Sequence, residues 1–308
     1  MNSRIDIPRR KRASALMLMV WAILLMSITV MGVVEYIGYS LDEATLASAE
    51  FRALHLAESG LAVGLHPNTS RNDVVLKQKV GPDSGFDVVI NYEGARLPIN
   101  FITDERLYEA VYNLFIYWGL NSEEATTCAD SLADWVDRDT EARSNGAETE
   151  YYESFGIYDI PRQQGFLSVE EMIQVRGMGV VDQLKADWRE YFSVYGDGTI
   201  DLRTVFKDVL IAVTQASEAD VDRYVRERDG SDGIPGTEDD RRIRDSEAFQ
   251  MLGLSGAEAS GLSGILNDDD SVRRITSTGY VADKRAQIVV IARRGDDRSL
   301  TYLGRIEE

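Results

Sequence analysis

The chain has few of the residue types on which covalent cross-links and acid–base catalysis depend. Its 308 residues include one cysteine, Cys128, and two histidines, His55 and His66. A single cysteine excludes an intramolecular disulfide, and we expect Cys128 to be buried as a small apolar side chain. No nucleophile, base and acid stand at the spacing of a catalytic motif, so the sequence does not predict an enzyme.

Proline and charge are both absent from a long N-terminal stretch. No proline occurs between Pro8 and Pro67, and residues 13–34 carry no charged side chain. A helix of this apolar length covers about the 30 Å hydrocarbon core of a bilayer. The sequence therefore predicts a helix over residues 14–66 with a membrane span at about 14–34. A cleavable secretory signal is the alternative, although its apolar core is shorter.

The charges that flank this stretch differ in sign. Five basic residues and one acid lie in residues 1–13, whereas four acids and one arginine lie in residues 35–52. By the positive-inside rule, the N-terminus is cytoplasmic and the rest of the chain is exported. The whole chain carries −19, and the leader carries +4, which leaves about −23 for the exported part. Such an acidic surface repels nucleic acid and attracts cations.

The segment from Arg12 to Trp21 (RASALMLMVW) resembles the prepilin-type signal of the type II secretion protein K (GspK) family, whose members are minor pseudopilins. The resemblance implies that a prepilin peptidase cuts between Ala13 and Ser14, although the family usually has glycine in place of Ala13. The fifth mature residue is then Leu18, where most pilins and pseudopilins carry a glutamate that pairs with the neighbouring subunit. Because an unpaired carboxylate is costly in lipid, its absence fits a subunit at the filament tip.

After Pro67 the pattern becomes that of strands. Residues 86–92 and 96–102 are β-rich and are separated by Glu93-Gly94-Ala95, which predicts a hairpin. Gly94 and Asn100 resemble two positions of a protein K motif. Further strands are predicted near the C-terminus, at residues 272–276, 280–281, 286–293 and 300–305. The predicted fold class is α+β, with a long N-terminal transmembrane and amphipathic helix and a pilin-like antiparallel sheet.

The middle of the chain has the pattern of helices. We expect helices at residues 104–119 and 121–136, the second capped by Ser122. Ser168 and Glu171 have the spacing of a capping box, and Gly177-Met178-Gly179 follows as a turn. This unit resembles a helix-hairpin-helix, which in other proteins binds DNA phosphates. In protein K it belongs to a helical domain inserted into the pilin sheet.

These observations predict five parts of the chain. A cytoplasmic leader and the long helix come first and are followed by the pilin-like sheet. An inserted all-helical domain, of helix-hairpin-helix or SAM-like type, divides the sheet into two β parts. The predicted bounds are 1–13 for the leader, 14–66 for the helix, 67–103 for the first pilin-like β part, 104–270 for the insertion and 271–308 for the second β part.

The most specific signature outside the N-terminus joins Leu132 to Asp139 (LADWVDRD) with Asn145 to Tyr152 (NGAETEYY). Its acids, which lie in a glycine-containing loop, supply the hard oxygen ligands that Ca²⁺ prefers. The signature resembles that of protein K, whose members bind calcium in this region. Both arguments predict a Ca²⁺ site formed by Asp137, Asp139, Glu141 and Glu148. The alternative is a solvated acidic loop in which Asp137 or Asp139 caps a helix.

A second acidic loop covers residues 229–240. Asp229, Asp232, Asp239 and Asp240 lie among its glycines. We expect a second, weaker Ca²⁺ site here, because glycine- and aspartate-rich turns are common in exported proteins whether or not they bind metal.

The resemblance predicts a minor pseudopilin that forms or initiates the tip of a periplasmic pseudopilus, which drives protein export across the outer membrane. Expected partners are other minor pseudopilins, the secretion apparatus, the prepilin peptidase and the inner membrane, and no nucleic acid. The expected location is the inner membrane, crossed once, with a periplasmic C-terminal domain. Two alternatives stay open: a minor pilin of a type IV pilus, and a membrane-anchored DNA receptor with salt-dependent affinity.

Overall fold

One long helix and an antiparallel sheet form the frame of the molecule. The computed structural model describes residues 10–233, 239–267, 272–295 and 299–307, with side chains of the first helix described at 17–33, 35–36 and from 48 onward. The helices of this described part are α1 (Arg10–Gly64), α2 (Glu105–Tyr117), α3 (Ser122–Val136), α4 (Thr149–Glu153), α5 (Met178–Leu184), α6 (Lys207–Thr214), α7 (Glu218–Arg228), α8 (Asp245–Met251) and α9 (Gly256–Leu262). Its strands are β1 (Lys77–Gly81), β2 (Ser84–Tyr92), β3 (Leu97–Pro98), β4 (Phe192–Ser193), β5 (Ile200–Asp201), β6 (Leu266–Asn267), β7 (Val272–Val281), β8 (Lys284–Arg294) and β9 (Leu300–Glu307).

Helix α1 has two parts with different surroundings. Ala53, Ala57 and Leu61 recur at every fourth residue and are buried against the sheet, as a helix with one apolar stripe requires. The side chains at residues 17–33 are exposed.

Among the residues with described side chains, we find no helix whose length and apolar character would allow it to cross a membrane. The predicted span includes residues 14–16 and 34, whose side chains lie outside the described part, as do the side chains of the predicted cleavage pair Ala13 and Ser14. Residues 1–9 of the predicted leader lie outside it altogether.

The main sheet has the strand order β1-β2-β7-β8-β9, and its neighbouring strands are antiparallel. The chain therefore leaves the sheet after β2 and returns beside it as β7. Helix α1 packs closely on these strands, since a Cβ atom at Gly279 of β7 would overlap the backbone at Ala53 and Ala57. Glycine at this strand position lets the helix backbone approach the sheet.

Two separate groups of apolar side chains are buried. One group joins α1 to the sheet and includes Leu61, Val88 and Val290. The other group lies inside the segment between β2 and β7 and includes Phe115 and Trp188. The segment inserted into the sheet therefore has an apolar core of its own, as an independently packed unit requires.

The predicted hairpin of residues 86–92 and 96–102 is wrong. Residues Glu93–Ala95 form a 3₁₀ turn, and the short strand β3 that follows pairs in parallel with β4 of the insertion. The reason is burial, because Leu97, Ile99 and Ile102 belong to the core of the insertion. The antiparallel partners of β2 are instead β1 and β7. Strand β1 has no apolar alternation, and its lysines are typical of an exposed edge.

Other predicted elements differ in their ends. The C-terminal strands predicted at 272–276 and 280–281 are one strand, β7, and the other two correspond to β8 and β9. Helix α3 is capped by Asn121 rather than Ser122, in a capping box with Glu124. The predicted capping box at Ser168 is absent: Ser168 makes no side-chain cap bond, and the residues after it form a 3₁₀ helix (Val169–Gln174).

A buried ionic contact joins the sheet to the insertion. The Glu93 carboxylate, which is 1% exposed, accepts a hydrogen bond of 2.7 Å from Nε of Arg274 on β7. Its other oxygen accepts a hydrogen bond from Ser193 on β4. Burial lowers the pKa of the nearby Arg96, with Glu93 opposing that shift. The turn after β2 is therefore held by both units.

Candidate metal centre

Two carboxylates of helix α3 bind the backbone of the acidic loop that follows the helix. Asp130 and Asp134 lie one helical turn apart, so both point to the same side. Oδ2 of Asp130 accepts a hydrogen bond of 3.2 Å from the amide of Asn145, and Oδ2 of Asp134 accepts one of 3.1 Å from the amide of Arg143. Asp134 is fully buried, and this burial raises its pKa to about 6.

The far side of the loop is held by Arg176. Its Nη1 donates to the carbonyl oxygen of Gly146 at 3.0 Å, and its guanidinium lies 4.8 Å from the ring centre of Tyr151. The amide of Arg176 also donates to the hydroxyl of Tyr152 at 3.2 Å. The loop is therefore fixed both by α3 and by the residue that precedes the Gly177 turn.

Aromatic side chains pack together beside the acidic loop. The ring of Trp135 stacks on Phe166 with centroids 5.6 Å apart and meets Tyr152 edge-on at 5.7 Å. Trp135 and Tyr152 are both buried. The tryptophan of the signature is thus a packing residue of the core beside the loop.

Three of the four acids predicted as ligands come together. One oxygen from each of Asp137, Asp139 and Glu148 lies within 4.8 Å of the others. Asp137 ends α3, and Glu148 caps α4, so two helix ends bring distant parts of the loop together. Glu141 is not in this group. It is exposed, and its backbone amide donates to Oδ1 of Asp139 at 2.9 Å.

Two oxygens of the cluster are buried and have free acceptor capacity. Oδ1 of Asp137 and Oε1 of Glu148 are buried and accept no hydrogen bond. Burial raises the pKa of both carboxyl groups, and the neighbouring acid Asp139 adds to the rise at Asp137. A buried acceptor left without a donor costs about 1–3 kcal/mol, more if it is charged. A cation among these oxygens would remove that cost.

The donor set fits Ca²⁺. It consists of hard carboxylate oxygens from one loop, which suit an ion that takes 6–8 oxygen ligands in flexible geometry. Histidine and cysteine, which softer metals prefer, are absent from the group.

The acids of the second loop are engaged in other contacts. Asp229 is buried beside Arg228, with 2.6 Å between Oδ1 and Nε, and Asp240 pairs with Arg71 at 3.0 Å. Asp239 accepts a hydrogen bond of 2.6 Å from the amide of Ser231. No three of the four predicted ligands, which include Asp232, come within 4.8 Å of one another in the described part of the chain. Residues 234–238 lie outside that part.

The Gly177 turn packs inward. Gly177 has a φ of 91°, and a Cβ atom there would lie 2.5 Å from Sγ of Cys128 on α3. Cys128 is buried as predicted, and burial raises the pKa of its thiol to about 12. Gly177 thus lies against α3, and the neighbouring cation Arg176 is bound to a loop carbonyl.

Gln163 is a neighbour of the cluster that sequence reasoning missed. Its Nε2 donates to Oε2 of Glu148 at 2.7 Å. The residue lies in an irregular segment with no periodic pattern, and only the folded chain brings it to the loop. Asp130 and Arg176 were also missed, because only the folded chain brings their side chains to the loop.

Residues 97–187 match the family model described as type II secretion system (T2SS), protein K. The fold is similar to a chain of the crystal structure of the GspK-GspI-GspJ complex from the enterotoxigenic Escherichia coli type 2 secretion system. That similarity has a TM-score of 0.61 at 17% identity and covers 88% of this chain and 97% of the other. No curated protein matches the chain.

Proposed function

We propose that this chain, whose residues 97–187 match the type II secretion system protein K family, is a minor pseudopilin of a type II secretion system. The match to the family model carries this conclusion, because the matched residues include both halves of the acidic-loop signature. A minor pilin of a type IV pilus would share the long helix and the sheet, but the matched residues lie in the insertion. The family model thus supports the resemblance that the sequence shows within residues 97–187.

The proposed partners are other minor pseudopilins. A solved structure with a similar fold is a complex of GspK with GspI and GspJ. We extend such assembly to this chain and expect it to act with the secretion apparatus, after processing by a prepilin peptidase. The acidic exported part and the inward packing of the Gly177 turn both argue against a nucleic-acid receptor.

We also propose that residues 14–34 anchor the chain in the inner membrane, with the remainder in the periplasm. In support, α1 is continuous, and its exposed apolar side chains at 17–33 precede the part that packs on the sheet. The leader of residues 1–13 would be removed between Ala13 and Ser14. Leu18 in place of glutamate supports a position at the filament tip, where no subunit lies ahead.

A Ca²⁺ ion held by Asp137, Asp139 and Glu148 would have a structural role. It would supply positive charge that offsets the mutual repulsion of these carboxylates. The residues themselves join the end of α3 to the start of α4. We propose no catalytic role for this loop, and the insertion between β2 and β7 serves as a folded unit on the pilin-like sheet.

A deletion and complementation experiment tests the proposed function. Deleting the gene should leave secreted proteins in the periplasm, and a tagged wild-type copy should restore export and co-purify with other minor pseudopilins from membrane extracts. A copy with Gly179→Ala, which changes a site with open space around it, should also restore export and serves as the control for a substitution that leaves the fold intact. Normal export combined with loss of surface pili would instead support the type IV pilus alternative.

A further inference from the structure

Gln163 shares an unusual property with the cluster beside it. In the described part of the chain, the carboxylate and amide oxygens that are buried without a hydrogen-bond partner are Oδ1 of Asp137, Oε1 of Glu148 and Oε1 of Gln163. Buried polar groups are nearly all partnered in folded proteins. Of the six buried side-chain nitrogen and oxygen atoms without a hydrogen-bond partner in the described part, these three lie in one neighbourhood, and a cation is a partner that oxygen acceptors share.

We propose that Gln163 is a neutral ligand of the ion held by Asp137, Asp139 and Glu148. This inference rests on the calcium site of the proposed function. Oε1 of Gln163 would bind the ion, while Nε2 keeps its 2.7 Å hydrogen bond to Oε2 of Glu148. Glutamine carbonyls are ordinary Ca²⁺ ligands. An uncharged fourth side chain fills a coordination position without adding to the repulsion among three carboxylates.

The position of Gln163 gives such a bond a structural consequence. The nearby Phe166 is anchored by Asn100, whose Oδ1 accepts from the Phe166 amide at 2.6 Å and whose Nδ2 donates to the carbonyl of Val194 at 3.1 Å. Asn100 thus connects the segment around Phe166 with Val194, the residue after β4. An ion bound by both Gln163 and Glu148 would join the acidic loop to this segment.

A second role for Gln163 must be separated from this one. The side chain could act only through its hydrogen bond to Glu148, as a positioning residue. Removing such an outer partner also weakens metal affinity by about 10–100-fold. A count of the water molecules on the ion separates the two roles, because a lost ligand is replaced by water and a lost outer partner is not.

The experiment uses the full chain in detergent with Tb³⁺ as the probe and Ca²⁺ as the competitor. Luminescence lifetimes in H₂O and D₂O give the number of bound waters. Gln163→Leu should add about one water and weaken Ca²⁺ competition about tenfold or more. The exposed neighbour Gln164 provides the matched control, and Gln164→Leu should change neither value. An unchanged water count in folded Gln163→Leu overturns the proposal.

Gln163→Glu provides an independent check. Like Gln163→Leu, it removes the amide donor to Oε2 of Glu148, but it keeps a ligand oxygen. A ligand role therefore predicts about one added water for Gln163→Leu and none for Gln163→Glu, whereas a positioning role predicts the same water count for both variants. Gln164→Glu controls for the added charge. A wild-type chain that binds neither ion would overturn the calcium site and this inference together, while leaving the secretion assay unaffected.

Discussion

Gly146 lies directly against the carboxylate of Asp134: a Cβ atom at position 146 would stand 2.7 Å from Cγ of Asp134. This contact allows the loop backbone to reach the carboxylate that accepts its amide hydrogen bonds. The requirement for glycine here is steric, and the acidic cluster depends on it because Glu148 follows two residues later.

Gly146→Ala should therefore destabilise the loop. We expect a loss of about 1–3 kcal/mol in the free energy of unfolding, as for other overpacked sites, and weaker Ca²⁺ binding. Gly179→Ala is the matched control, since nothing lies within 4 Å of a Cβ atom there. That control lies in α5 and should be neutral or slightly stabilising. Equal melting temperatures for the two variants would contradict the steric argument.

Calcium should stabilise the folded chain through the cluster. At a hundredfold excess over the dissociation constant, the gain is about 2.7 kcal/mol. Asp137→Asn combined with Asp139→Asn should remove most of the difference in melting temperature between calcium and chelator. Glu141→Gln, which changes an acid outside the group, should preserve it. Identical melting curves of the wild type in calcium and chelator would reduce the loop to a solvated turn.

The effect of calcium should depend on pH. Burial raises the pKa of Asp134 to about 6 and also raises the pKa values of Asp137 and Glu148. The folded state thus binds protons more tightly than the unfolded chain, and this difference in proton binding stabilises the folded state. The stabilisation is fully present below the unfolded carboxyl pKa of about 4 and is lost as pH rises through about 6. In chelator, the contribution of the cluster should fall over that range.

Calcium favours the ionised carboxylates, so the melting difference between calcium and chelator should grow from about pH 5 to about pH 7. Differential scanning calorimetry at several pH values measures it. Asp134→Asn should flatten the profile in chelator. A difference that stays constant with pH would show that these carboxyl groups do not titrate with the ion.

The contact between Glu93 and Arg274 should matter for stability. Glu93→Ala leaves the partly buried Arg274 cation without its partner. We expect the free energy of unfolding to fall by about 3 kcal/mol, which is at the lower end for broken buried pairs because the Arg274 side chain is 21% exposed. Glu307→Ala, which removes an exposed partner of Arg305, should cost less than about 1 kcal/mol. Urea unfolding measures the stability of both variants. Equal losses of stability would argue against a structural role for the contact between Glu93 and Arg274.

Processing should leave Ser14 as the first residue of the mature chain. Intact-mass analysis of the membrane-extracted protein measures this directly. Ala13→Gly should be cut at the same bond, whereas a bulky Ala13→Leu should accumulate the uncut form. A cut beyond about residue 30, at the end of an apolar core, would instead indicate a cleavable secretory signal.

Local features of this protein could be predicted from the sequence. The stretch without proline predicted a continuous N-terminal helix, observed from Arg10 to Gly64, and helical spacing predicted α2 and α3 to within a few residues. Burial of Cys128 was also predicted correctly. These features depend on interactions between residues a few positions apart, which the order of residues determines directly.

Contacts between distant residues were decided by the tertiary structure. The residues after Glu93 were expected to return along β2, but burial of Leu97 and Ile99 in the insertion directs them away, and β7 takes that place in the sheet. Likewise, its place in the acidic loop suggested Glu141 as a ligand, whereas folding brings Gln163 to Glu148. Periodicity describes one element at a time, and the choice between competing partners depends on which arrangement buries the apolar side chains of both units.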